Sequence, residues 1–318
     1  MSCKTPQGLD SLAAPFLALN FNDEALAWAC LSAFIPKYLH NMFMKDNAVV
    51  IQEYLAKFSH LQAFHDPELF NHLDEIGFIP DLYAIPWVLT MFSHVFPLHK
   101  IFHLWDRLLL GNSSFPLTVG LAVLLQLRAQ LMEAQFNECI LLFSDMPAVD
   151  IDHVVSASMD IFVTTPASLT WREHDSGGGT GRAEGPLDMT ALPVAVLKEE
   201  KVGRVSGGDA VALLDTGKLL CVDCRPAEEW RLGSLPDSVN LPAAAAFGPS
   251  GEVAAGGEEL AEARRRGQVI LVMGSTRDKA GEQAVAEGLV RLGVARVATL
   301  HGGVEVFRGT RHLVLPNL

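Results

Sequence analysis

Cysteine is scarce in this chain, with five residues in 318 (Cys3, Cys30, Cys139, Cys221 and Cys224). An odd, scattered set does not make a disulfide framework and reads as reduced thiols. Long apolar runs are also missing. The longest candidate, Phe115 to Leu127, is about 13 residues and contains Gln126, short of the roughly 18 needed to span a bilayer. It reads as a buried helix. Met1 to Pro6 contains no apolar segment of the kind a secretory signal carries, so the chain is expected in the cytosol, reaching endomembranes through partners. Basic charge is sparse too: 24 Lys and Arg stand against 37 Asp and Glu, a net charge of −13. Residues 1–165 hold 7 basic against 17 acidic residues, or −10 of that total. Such a surface repels phosphates and anionic lipid, which argues against direct binding to nucleic acid or membrane.

What remains is a globular composition, 49% hydrophobic and 19% charged, with room for two domains. Residues 7–165 read as helical throughout. Asp23 and Asp66 stand where helix N-caps are expected, and Pro67 suits a first turn. The central stretch runs from Ile85 to Gly111. Trp87, Leu89, Phe92, Val95 and Phe96 recur at helical spacing up to Pro97, and Ile101, Phe102, Leu104, Trp105, Leu108 and Leu109 repeat the pattern. Gly111-Asn112 is expected to stop the second helix through a left-handed residue. A single helix is expected over Phe115–Glu133.

Trp87-(x)4-Phe92, Phe96-Pro97 and Leu104-Trp105-Asp106-Arg107-Leu108-Leu109-Leu110-Gly111 resemble the C-terminal half of a TBC domain, the all-helical module of Rab GTPase-activating proteins. The resemblance implies a Rab-type small GTPase as partner. It also implies two catalytic groups, an Arg from an Ile-x-x-Asp-x-x-Arg motif and a Gln from a Tyr-x-Gln motif. Gln7 stands at the second, with Thr5 in place of the tyrosine. The arginine motif would lie before residue 1. An arginine finger contributes about 10³–10⁵ in rate, so little catalysis is expected from this chain alone. The helical half is expected to lack the first TBC helices and to leave apolar helix faces uncovered.

After Pro166 the composition changes. Asp175 to Arg182 has almost nothing apolar, and 166–204 is expected to be a flexible linker. Beyond it, Leu219–Val222, Val269–Met273 and Val297–Leu300 read as buried strands alternating with helices, the pattern of a parallel sheet covered on both faces. Asp223-Cys224-Arg225, Glu229-Trp230, Gly233-Ser234-Leu235, Asn240-Leu241-Pro242 and Gly302-Gly303 resemble the rhodanese family, with Ser234 where that family usually has histidine.

Rhodanese chemistry requires a cysteine thiolate in a loop of inward-facing backbone N–H groups. The resemblance places that loop at Met273-Gly274-Ser275-Thr276-Arg277-Asp278, and the cysteine position holds Met273. A thioether is no nucleophile, so sulfur transfer and cysteine-phosphatase chemistry are expected to be absent. Either an anion held by the loop amides, with Arg277 assisting, or a closed loop is compatible with these residues. Cys221 and Cys224 have CxxC spacing, but along a strand they would face opposite sides, and they read as structural thiols. His99 and His103 share a helix face without a third ligand nearby in sequence. No metal and no cofactor is implied.

The expected architecture is thus multidomain. An all-α TBC-type portion covers 1–165, the linker 166–204, and an α/β rhodanese-like parallel-sheet domain 205–318. In that order the parts resemble the C-terminal portion of TBC-domain-containing kinase-like proteins. Two functions fit: a regulator of Rab-type GTPases, or a non-catalytic adaptor in a membrane-trafficking assembly.

Overall fold

A computed structural model describes residues 8–45, 47–173 and 189–316. They divide into two compact units. The first contains residues 8–45, 47–59, 73–165 and 171–173, and the second 60–72, 166–170 and 189–316.

The first unit is helical: α1 (Leu9–Leu19), α2 (Glu24–Tyr38), most of α3 (Ala48–His65), the end of α4 (Pro67–Glu75), α5 (Pro80–Thr90), α6 (Leu98–Leu108), α7 (Phe115–Gln126), α8 (Arg128–Glu133), α9 (Phe136–Ser144) and α10 (Ile151–Thr164). The Asp23 side chain accepts the Leu26 N–H at 2.9 Å, which satisfies one of the donors left open at the start of α2. In α7 every residue from Phe115 to Leu124 is buried, which explains the apolar run. It is a core helix against which α10 packs. Leu127 interrupts the helix expected over 115–133, giving α7 and α8.

The central pair also differs from its expected outline. α5 begins at Pro80 and ends at Thr90, because Met91 (φ +45) and Phe92 (φ +67) turn left-handed. Trp105 Nε1 donates to the Met91 carbonyl at 2.9 Å, which holds that turn against α6. Trp105 is itself stacked on Phe34 at 4.6 Å, with Phe16 at 5.3 Å. Gly111 is not left-handed. Instead the end of α6 is satisfied from outside: Tyr38 OH donates to the Leu108 carbonyl at 2.7 Å and Lys37 Nζ to Leu109 at 2.9 Å. Gly111 is needed for space, since a Cβ there would stand 2.7 Å from the Phe115 side chain.

The second unit is built on a five-stranded parallel sheet in the order β1-β5-β4-β2-β3, with β1 Arg204–Val205, β2 Leu219–Asp223, β3 Val239–Asn240, β4 Val269–Met273 and β5 Val297–Leu300. Its helices are α11 (Val194–Glu199), α12 (Gly207–Asp215), α13 (Ala227–Arg231), α14 (Gly257–Arg266) and α15 (Lys279–Arg291). The three longest strands are buried at every position, as a sheet covered on both faces requires. The two edge strands, each of two residues, escaped the sequence pattern for lack of length.

This unit also incorporates residues of α3 and α4. Ala63 and Phe70 lie in one apolar cluster with Leu220, Val222, Ile270 and Val272. The Arg296 N–H donates to the Phe64 carbonyl at 2.6 Å, and Asn71 Nδ2 to that of Val290 at 2.8 Å. His60 Nε2 lies 3.0 and 2.8 Å from the carbonyls of Leu197 and Glu200; two acceptors on one ring nitrogen require that it carry the proton. Parts of the expected linker are therefore packed. Ala167–Thr170 form a 3-10 turn with Leu169 fully buried, and Val194–Glu199 are helical. Leu169, Leu197 and Val202 supplied the apolar surface that the composition of the middle of the segment concealed.

Candidate functional site

The strand ends of the sheet carry two linked clusters. At the end of β2, Asp223 is fully buried as an ion-pair partner of Arg225, whose Nε donates to Asp223 Oδ1 at 2.9 Å and whose NH2 donates to Oδ2 at 2.5 Å. Ser234 Oγ donates to Asp223 Oδ2 at 2.7 Å, and Arg225 also donates to the Gly233 carbonyl at 2.8 Å. Asn240 Nδ2 donates to the Asp223 and Arg225 carbonyls, both at 2.9 Å. The spaced motif Asp-x-Arg…Gly-Ser…Asn is thus one buried polar network that fixes the loops over the sheet. A buried charge is tolerated where partners fill its lone pairs.

At the neighbouring end of β4 stands the expected loop. Met273 is fully buried and pairs with Asp223 in the sheet register. The Gly274 N–H donates to Glu282 Oε1 at 3.0 Å, and the Thr276 N–H to Glu305 Oε2 at 3.0 Å. Arg277 N–H is directed at Ser275 Oγ, 3.3 Å away. Asp278 caps α15, its Oδ1 accepting from Gly281 N–H at 2.9 Å. The Ser275 carbonyl receives the Asp278 N–H at 3.1 Å. The Gly274 and Thr276 amides are thus taken by carboxylates of the chain itself, Glu282 and Glu305.

Beneath the loop, Cys224 and Glu282 converge. A Cβ at Gly274 would stand 3.0 Å from the Glu282 Cβ and 3.2 Å from the Cys224 sulfur, so glycine is required for space. Burial raises the Glu282 carboxyl to about 7, against the opposing pull of the Gly274 N–H and the Arg204 charge. The Cys224 thiol is pushed well above its ordinary value, first by burial and then by the Glu282 charge; Cys221 is raised likewise by burial. Both shifts disfavour the thiolate, the form that reacts. Cys224 sits one residue past β2 rather than on it.

Glu282 and Glu305 were missed in the sequence. Glu282 had left a signal: with Val285, Ala286, Leu289 and Val290 it lies on the buried stripe of α15, an acid at a core position. Glu305 follows the Gly302-Gly303 turn and leaves no pattern. His103 lies 2.8 Å from Asp152 in an exposed pair. Gln7 lies outside the described residues. Its neighbour Gly8 has φ +91 and abuts Thr90 at the end of α5.

Residues 5–132 match the Rab-GTPase-TBC domain, and residues 206–310 match the rhodanese-like domain. The TBC domain-containing protein kinase-like protein of Homo sapiens is 49% identical over 98% of this chain and 39% of its own length. The chain belongs to this family. The family member of Dictyostelium discoideum is 40% identical over 74% of this chain and 22% of its own length. The chain spans about two fifths of the length of the human relative. The crystal structure of the Ypt/Rab-GAP domain of Gyp1p aligns with 49% of this chain and 58% of that one, at 21% identity and a TM-score of 0.43. No described helix is long and apolar enough to cross a membrane.

Proposed function

We propose that this chain regulates a Rab-type small GTPase through its helical unit, and that its rhodanese-like unit is non-catalytic. The match of residues 5–132 to the Rab-GTPase-TBC domain carries the first part. Gln7 falls inside that match and is the residue assigned to orient the attacking water; the arginine that would neutralise the transferring phosphoryl group comes from elsewhere. The second part rests on Met273, a buried thioether where a thiolate is required.

The test is single-turnover phosphate release from a panel of GTP-loaded Rab proteins, with this chain and its Gln7→Ala form. Acceleration that disappears with Gln7→Ala supports a working GTPase-activating surface. A Rab bound without acceleration, and equally well with GDP, supports the adaptor reading instead, in which the chain docks partners in a membrane-trafficking assembly. The closed loop at 273–278 favours that second role for the rhodanese-like unit, since it leaves a folded surface without a reaction to run.

A further inference from the structure

The turn that closes the sheet brings an acid into the loop after β4. Gly302 (φ +79) and Gly303 (φ +61) take conformations that side chains resist. The Val304 N–H then donates to the Gly274 carbonyl at 2.8 Å, which pins the turn to the loop. A Cβ on Gly303 would stand 2.9 Å from Glu305 Oε2, 3.0 Å from the Gly274 carbonyl oxygen and 3.1 Å from the Thr276 nitrogen. No side chain fits there. Glu305 Oε2 receives the Thr276 N–H, while Oε1 lies 3.5 Å from the Arg308 guanidinium. A backbone donor and a cation therefore converge on one carboxylate supplied by the same chain.

We propose that Glu305 is an internal ligand of this loop, its carboxylate filling the position in which Thr276 N–H and Arg308 would otherwise hold a small tetrahedral oxyanion such as sulfate or phosphate. A carboxylate oxygen offers those donors what a free oxyanion would offer. Being tethered, it competes at a high effective concentration. Its charge, with that of the Asp278 carboxylate beside the loop, also opposes a second anion. The loop is thus occupied in cis, independently of any GTPase-directed role of the helical unit.

The experiment is an amide chemical-shift titration of the full chain with sodium sulfate and with inorganic phosphate, at constant ionic strength with chloride as the balancing salt. Glu305→Ala is expected to show a saturable shift of the Thr276 amide, with an apparent affinity at least about tenfold above wild type, the competing carboxylate having been removed. Glu305→Gln, which keeps the shape and one acceptor but drops the charge, is expected to fall between them. Retained spectral dispersion in either variant shows that the turn still folds. Equal titration of wild type and both variants would mean that the carboxylate does not occlude the site, and the proposal fails. It fails equally if no protein titrates, since the loop would then be no oxyanion cradle.

Discussion

The Gly274 N–H donates to Glu282 at 3.0 Å, and the residue that receives it is only 5% exposed. One buried acid thereby ties the loop after β4 to the helix that follows it. It also makes the α/β unit sensitive to pH, because the same burial that protects the hydrogen bond penalises the charge.

The sign follows from the two titration points. The Glu282 carboxyl titrates near 4.5 when free and at about 7 in the fold. Between those values the folded state keeps a proton that the unfolded state has released, so stability falls as pH rises through that window and levels above it. The shift corresponds to about 3 kcal/mol. Denaturant unfolding of wild type and Glu282→Gln across this range should show the decline in wild type and its loss in the variant. Parallel pH profiles would remove Glu282 as the cause.

Arg225→Ala leaves Asp223 buried without its cation. A loss of about 3–5 kcal/mol in the α/β unit is expected, the range for breaking a buried ion pair from one side. The double variant Asp223→Ala/Arg225→Ala should cost less than the sum of the two single changes, because no charge is then stranded. Additive costs in a double-mutant cycle would show that the pair is not coupled.

Trp105→Phe keeps a ring against Phe34 and deletes the donor to the Met91 carbonyl. A buried carbonyl left without its partner costs about 1–3 kcal/mol. Thermal unfolding of the helical unit should therefore shift downwards, while Trp87→Phe, at a position with no such bond described, provides the comparison for simple loss of ring area.

Phe70→Ala tests whether the α/β unit depends on α4. Phe70 is 6% exposed in the cluster that includes Ile270 and Val272, and removing such a ring costs about 3–5 kcal/mol. Amide hydrogen exchange at Ile270 to Val272 should accelerate accordingly. Unchanged protection would place Phe70 outside that cooperative unit. By the same reasoning, a fragment beginning at residue 205 would expose the apolar surface that Ala63, Phe70 and Leu169 cover.

Helical periodicity was sufficient to locate α6, and continuous apolar runs to locate β2, β4 and β5, because burial of one face or of both dictates those patterns directly. That Met273 offers no thiolate is equally legible, since a thioether has no proton to lose in any environment. What depends on distant residues meeting was not. The left-handed turn at Met91–Phe92 is held by a tryptophan 14 positions away, and the end of α6 is satisfied by Lys37 and Tyr38 rather than by its own glycine. The packing of 166–170 and of Val194–Glu199 within the α/β unit reverses the reading of a loose linker at its two ends. Most of all, whether the amides after β4 were free or taken was decided by Glu282 and Glu305, two acids brought to one loop by a helix face and a glycine turn. Local sequence sets which groups a residue can offer; only the tertiary fold sets which of them are already satisfied.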